Sequence, residues 1–89
     1  MPTVHFTNQL ERFVSAPIMR AEGETLRDVL DAVFWEHPKL RGYILDDQGA
    51  VRRHVAIFID GAQVSDRDKL SDPVSEDGEI YVFQALTGG

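Results

Sequence analysis

The 89 residues include no cysteine. That excludes a disulfide framework, a thiolate zinc site and a cysteine nucleophile. Basic residues are scarce, 9 against 15 acidic ones, for a formal net charge of −6. A chain of that sign repels phosphate backbones, so nucleic acid is not an expected partner. The same charge aids solubility and speeds docking on a basic patch of another protein. No run approaches the ~18 apolar residues of a membrane span, so no membrane association is expected. The start of the chain has no basic-then-apolar run, so no signal peptide is expected and a cytoplasmic location is. A glycine-rich phosphate loop is also missing, which leaves no motif for binding ATP. No repeat or low-complexity tract is found.

The histidines, His5, His37 and His54, lack metal-ligand spacing. Asp46-Asp47 lies in no loop with the ligand density calcium requires, and with Gln48-Gly49 it reads as a turn. Arg52-Arg53 is the sole basic pair. It is expected at the start of a strand, solvated and able to meet an acidic partner. Trp35 is expected to be a partly buried packing residue. No catalytic residue stands out.

The apolar fraction of 43% and charged fraction of 27% are those of an ordinary globular domain. The length suits one small domain, residues 1–85, followed by a short tail, residues 86–89. Thr3 to Thr7 alternates polar and apolar and predicts a strand. Phe13 to Ala21 predicts a second, with Pro17 forcing an edge, a bulge or a longer loop. Thr25 is placed to N-cap a helix, with Asp28 as a capping-box-like partner. Leu26, Val29, Leu30, Val33 and Phe34 then form one apolar stripe, and Pro38 stops the helix at or before His37.

Leu40 to Leu45 predicts a short helical turn. Val55 to Ile59 is a strongly β-prone run that ends on Asp60-Gly61, a hairpin signal, with Val64 on a short return strand. Leu70 and Val74 read as anchors within a loop. Asp77-Gly78 launches a last strand, Glu79 to Ala85. Two hairpins separated by a helix place the first and last strands side by side at the centre of a mixed sheet. The expected fold class is therefore α+β: a β-grasp, ubiquitin-like sheet of four to five strands with one main helix across one face.

Strand parity separates two faces. Val55, Ile57, Ile59, Ile80 and Val82 are expected in the core with Val4, Phe6, Leu26, Leu30 and Val33. Phe58, Tyr81 and Phe83 then share the open face, where an exposed aromatic cluster marks a candidate partner interface.

The chain ends in Leu86-Thr87-Gly88-Gly89. Glycine loses the most entropy on ordering, so a diglycine is a poor end to a strand for stability. Taken in order, several segments resemble the MoaD/ThiS family. They are Thr25-Leu26 with Val29-Leu30; His37-Pro38 with Leu40-Arg41; Arg53-His54-Val55 with Ile57, Ile59 and Asp60-Gly61; Leu70 leading to Asp77-Gly78-Glu79-Ile80; and the ending Ala85 to Gly89. That family includes the small subunit of molybdopterin synthase, the thiamine sulfur carrier and cysteine-biosynthesis carriers. Two positions depart from its usual pattern. Asp77-Gly78-Glu79 stands where Gly-Asp-Glu is common, and Gln84 stands where a proline often precedes the alanine.

The resemblance implies a sulfur carrier rather than an enzyme. An E1-like enzyme would use ATP to adenylate the Gly89 carboxylate, which is otherwise an anion and a poor electrophile. A persulfide or sulfide source would then convert it to a thiocarboxylate, for use by a sulfur-accepting synthase or hydrolase. Leu86, Thr87, Gly88 and Gly89 would thread into the partner's active site. From Ala85 onward the tail spans about 13–16 Å when extended, at ~3.3–3.6 Å per residue. Two other readings stay open: a modifier joined to lysines through the same tail, and an interaction domain whose tail is inert. The pathway served, whether molybdopterin, cysteine, thiamine or a specialised metabolite, is left open.

Overall fold

The computed structural model describes residues 1–6 and 18–84, with the Gln84 side chain left aside. The strands are β1 (Thr3–Phe6), β2 (Ile18–Arg20), β3 (Val55–Ile59), β4 (Ala62–Gln63) and β5 (Glu79–Gln84). The helices are α1 (Leu26–Glu36) and the shorter α2 (Pro38–Ile44). One five-stranded sheet runs in the order β2-β1-β5-β3-β4. The central pair, β1 and β5, is parallel, and the other pairings are antiparallel. This is the β-grasp arrangement, and it contains the expected central strands and mixed sheet.

The four N–H groups that open α1 all find acceptors. Leu26 and Arg27 donate to the carbonyls of Asp72 and Leu70, both at 2.9 Å. Asp28 donates to Thr25 Oγ1 at 3.3 Å, and Val29 to the Thr25 carbonyl at 3.1 Å. The helix start is thus built by its own cap and by the loop before β5. Pro38 takes the first position of α2, where its missing N–H is no loss and its fixed φ suits a helix. The stripe Leu26, Val29, Leu30, Val33 and Phe34 is buried. It packs in one cluster with Val4 and Phe6 of β1, Val55 and Ile57 of β3, and Ile80 and Val82 of β5. Leu40, Ile44, Val64, Leu70 and Val74 complete that core, so the two loop anchors are buried as expected.

Some expectations are corrected. Trp35 is 87% exposed, not partly buried. The helix explains this: nine residues after Leu26 is two and a half turns, which is the opposite side of α1. Ile59 is only partly buried, because it sits at the end of β3 beside the turn. The second strand covers Ile18–Arg20 only, and Phe13 to Pro17 lies outside the described residues. The return strand is Ala62–Gln63, and Val64 follows it into the core. The β3–β4 connection is a two-residue turn in which Asp60 (φ 51°) and Gly61 (φ 87°) are both left-handed. Such a turn matches strand twist and favours Asp-Gly. Asp60 also accepts from the Glu79 N–H at 2.9 Å and donates its own N–H to the Glu79 carbonyl at 2.8 Å, which fixes the turn against β5.

Candidate functional site

The helices cover one face of the sheet, and the other is open. Register brings the three predicted aromatics together there. Phe58 of β3 stands opposite Tyr81 of β5, and Ala56 opposite Phe83. The small Ala56 leaves room for the neighbouring rings. Phe58 meets Phe83 edge-to-face at 5.6 Å between centroids, and Tyr81 lies along Phe83 at 6.3 Å. Both are ordinary attractive ring geometries. With Gly61 they line an apolar depression of about 330 Å³. Tyr81 and Phe83 are exposed, and Phe58 beside them is half-buried.

The patch extends beyond the three aromatics. His5 of β1 pairs with Tyr81 across the parallel central strands, and Ile18 of β2 pairs with His5. The His5 ring stacks on Tyr81 at 4.3 Å with an interplanar angle of 6°. Its Nε2 is shielded from solvent, makes no hydrogen bond, and lies 3.4 Å from a Glu79 carboxylate oxygen. Ile18 is 57% exposed. One row, Ile18, His5, Tyr81 and Phe58, therefore crosses four strands of the open face, with Phe83 beside it. Sequence reading treated His5 as an isolated strand residue. The parallel partner of a residue more than seventy positions away has no local signal, although the parity of β1 does put His5 opposite to Val4.

The last residue of β5, Gln84, pairs with Val55, the first of β3. β5 ends there, and Leu86, Thr87, Gly88 and Gly89 lie outside the described residues. The aromatic row and the exit of β5 are thus on the same central strand.

Loop geometry around this end is held by carboxylates acting as local caps. Asp72 accepts from the N–H groups of Ser65 and Asp66 at 2.9 and 2.8 Å. Asp66 accepts from the N–H groups of Asp68, Lys69 and Ser71 and from the Ser71 hydroxyl. These bonds, led by that from Lys69, lower its pKa from 3.8 to about 2. Asp46 caps the turn before β3 by accepting from Gln48 and Ala50. It is a turn residue, as its sequence context suggests. Among the described residues no group of three or more histidines, aspartates or glutamates is placed to hold a metal ion. Among them, too, no helix is long and apolar enough to cross a membrane.

The sheet order and the helix across one face define a β-grasp, ubiquitin-like fold. The ThiS family model matches residues 4–89, nearly the whole sequence, and the chain belongs to the ThiS family. No curated protein sequence matches it. Solved structures do. A chain of the BexX/CysO complex of Amycolatopsis orientalis superposes with a TM-score of 0.87 at 18% identity, over 100% of both chains. CysO of Mycobacterium tuberculosis gives 0.85 at 18% identity, over 97% of this chain and 100% of that one. SAMP1 of Haloferax volcanii gives 0.80 at 21% identity, over 99% and 98%. At these identities the likeness establishes the fold.

Proposed function

We propose that this protein is a sulfur carrier that works through the carboxylate of Gly89. An E1-like partner joins that carboxylate to the AMP part of ATP and releases pyrophosphate. Sulfide attacks the acyl carbon, AMP leaves, and the thiocarboxylate forms directly. A persulfide instead gives an acyl disulfide as AMP leaves, and a second thiol of the sulfur donor then cleaves its S–S bond, forming a disulfide on the donor and releasing the thiocarboxylate. A downstream synthase or hydrolase receives the thiocarboxylate. In this reading ATP belongs to the partner's site, and this chain contributes the acyl group and a rigid handle.

The observation that carries the reading is the ThiS family match, which runs through Gly89 on a chain whose central strand leads directly to that residue. The partner rests on Phe58, Tyr81 and Phe83, while Leu86, Thr87, Gly88 and Gly89 thread into its active site. Residues without bulky side chains suit that passage, because Gly88 and Gly89 have no Cβ to block close approach. One structural relative comes from a BexX/CysO complex, so a chain of this fold is known in a two-protein assembly.

Intact mass of protein isolated from its native host tests the proposal. Replacing oxygen by sulfur adds roughly 16 Da, and that species is the expected one. Branched adducts on lysines would instead favour a modifier, as the name of the small archaeal modifier protein that shares the fold implies for that protein. A purified activating enzyme that never forms an adenylate on Gly89 overturns both.

A further inference from the structure

Cations are few in this chain, yet three of the nine lysines and arginines gather in one place. Arg52, Arg53 and Arg67, with His54, line a cleft of about 630 Å³ at the start of β3. The loop is built rather than loose. Arg67 Nη2 donates to the carbonyls of Arg52 and Val55 at 2.6 and 2.7 Å, and Arg52 Nε donates to the Gly42 carbonyl at 2.8 Å. Arg52 is therefore half-buried and tied to α2, a correction to its expected solvated position. Arg53 is exposed.

Among the described residues, no carboxylate lies within ion-pairing distance of these guanidinium groups, and the single acid–base contact is His5 with Glu79. Two of the three aspartates lining the cleft, Asp46 and Asp66, point their carboxylates at backbone N–H groups of their own turns. The third, Asp68, is exposed at the cleft's edge.

Position gives the cleft its meaning. Val55 pairs with Gln84, so residues 52–54 extend past the end of β5 on the side from which the chain continues to Gly89. The corner thus lies at the end of the sheet where β5 ends, within reach of a protein that receives the residues beyond Gln84. We propose that the Arg52–Arg53–Arg67 corner docks carboxylates on the rim of the partner's tail-receiving site. The net charge of −6 argues against a polyanion such as nucleic acid; the local cluster of three arginines, against the sign of the whole chain, is what selects a small acidic patch. The aromatic row then supplies the apolar contact, and the arginine corner sets orientation and encounter rate. This inference rests on the proposed function and names the chemistry of its partner.

The test uses the full chain with the purified activating enzyme of its host and follows pyrophosphate release. R53E replaces an exposed side chain, R53Q removes only its charge, and R20E makes the same net-charge change elsewhere. Arg20 lies on the edge strand β2, paired with Thr3 at the other end of the sheet. The expected result at about 50 mM salt is a KM raised roughly five- to tenfold by R53E, less by R53Q and little by R20E, with kcat unchanged. At about 500 mM salt the differences should shrink, because exposed charges are then screened. Equal KM for R53E and wild type overturns the inference alone, as does an equal rise for R20E and R53E. Absence of adenylation for wild type overturns the function on which it rests.

Discussion

Asp66 shows how one carboxylate organises a loop that contains no regular element. Its four donors come from residues 68–71, and the turn they close brings Leu70 into the core at φ 59°. A left-handed φ at a leucine is uncommon, and it persists here because the loop around it is capped on both sides by Asp66 and Asp72. The folded pKa of Asp66 is depressed from 3.8 to about 2. Its stabilising effect is therefore fully present above pH 3.8 and is lost as pH falls towards 2. Denaturant unfolding of wild type and D66N should show wild type ahead at neutral pH and the gap closing across that window. A gap that stays constant from neutral pH down to the acid limit would contradict the assignment.

Thr25 belongs to the same scale. Its hydroxyl accepts from Asp28 at a long 3.3 Å, and the neighbouring N–H groups already have carbonyl partners in the 70–72 loop. T25A should cost about 0.5–1 kcal/mol, the low end for an N-cap, read as a small shift in the urea midpoint with unchanged slope.

At the scale of elements, the central strand serves both faces of the sheet. Ile80 and Val82 are fully buried under α1, while Tyr81 and Phe83 stand in the open. Substitutions on β5 and its neighbour β3 should therefore divide by parity. I57A removes a fully buried side chain at the centre of the sheet and should cost about 2–5 kcal/mol in unfolding free energy. F83A removes a ring that is 40% exposed, so it should change stability far less and raise the KM for the activating enzyme. An unchanged KM with a folded F83A protein would remove the aromatic face from the proposed interface.

This division also marks how far the sequence could be read. The stripe of α1, the run of β3 and the Asp60-Gly61 turn each carry a local periodicity or turn signal, and the structure contains all three. Trp35 was legible too, since the same helical spacing sets it opposite Leu26; its apolar neighbour Phe34 masked that signal. His5 and Arg67 were not legible. The first joins the aromatic row through a parallel pairing between chain ends, and the second reaches back fifteen residues to the Arg52 carbonyl. Neither contact leaves a pattern within a short window. The fate of Gly89 was suggested by motif order and not by any packing rule.

For the whole molecule, the core and the chemistry are separate in the chain. Every buried hydrophobic among the described residues falls between Val4 and Val82, and the ThiS match continues beyond them to Gly89. Folding free energy therefore comes from the sheet and helices, and the carboxyl group proposed for activation follows the last strand in the chain. A chain shortened by Gly88 and Gly89 should unfold at the same temperature and denaturant concentration as the full chain. It should also bind the activating enzyme through the open face, and so inhibit adenylation of the full chain competitively. It should itself yield no adenylate. If the shortened chain melts several degrees lower, the final residues help hold the fold. If it fails to compete, docking depends on the tail and the aromatic face is not the main contact. Competitive inhibition without turnover is the outcome that a body-first, tail-second encounter requires, because most interface energy sits in a few buried apolar anchors.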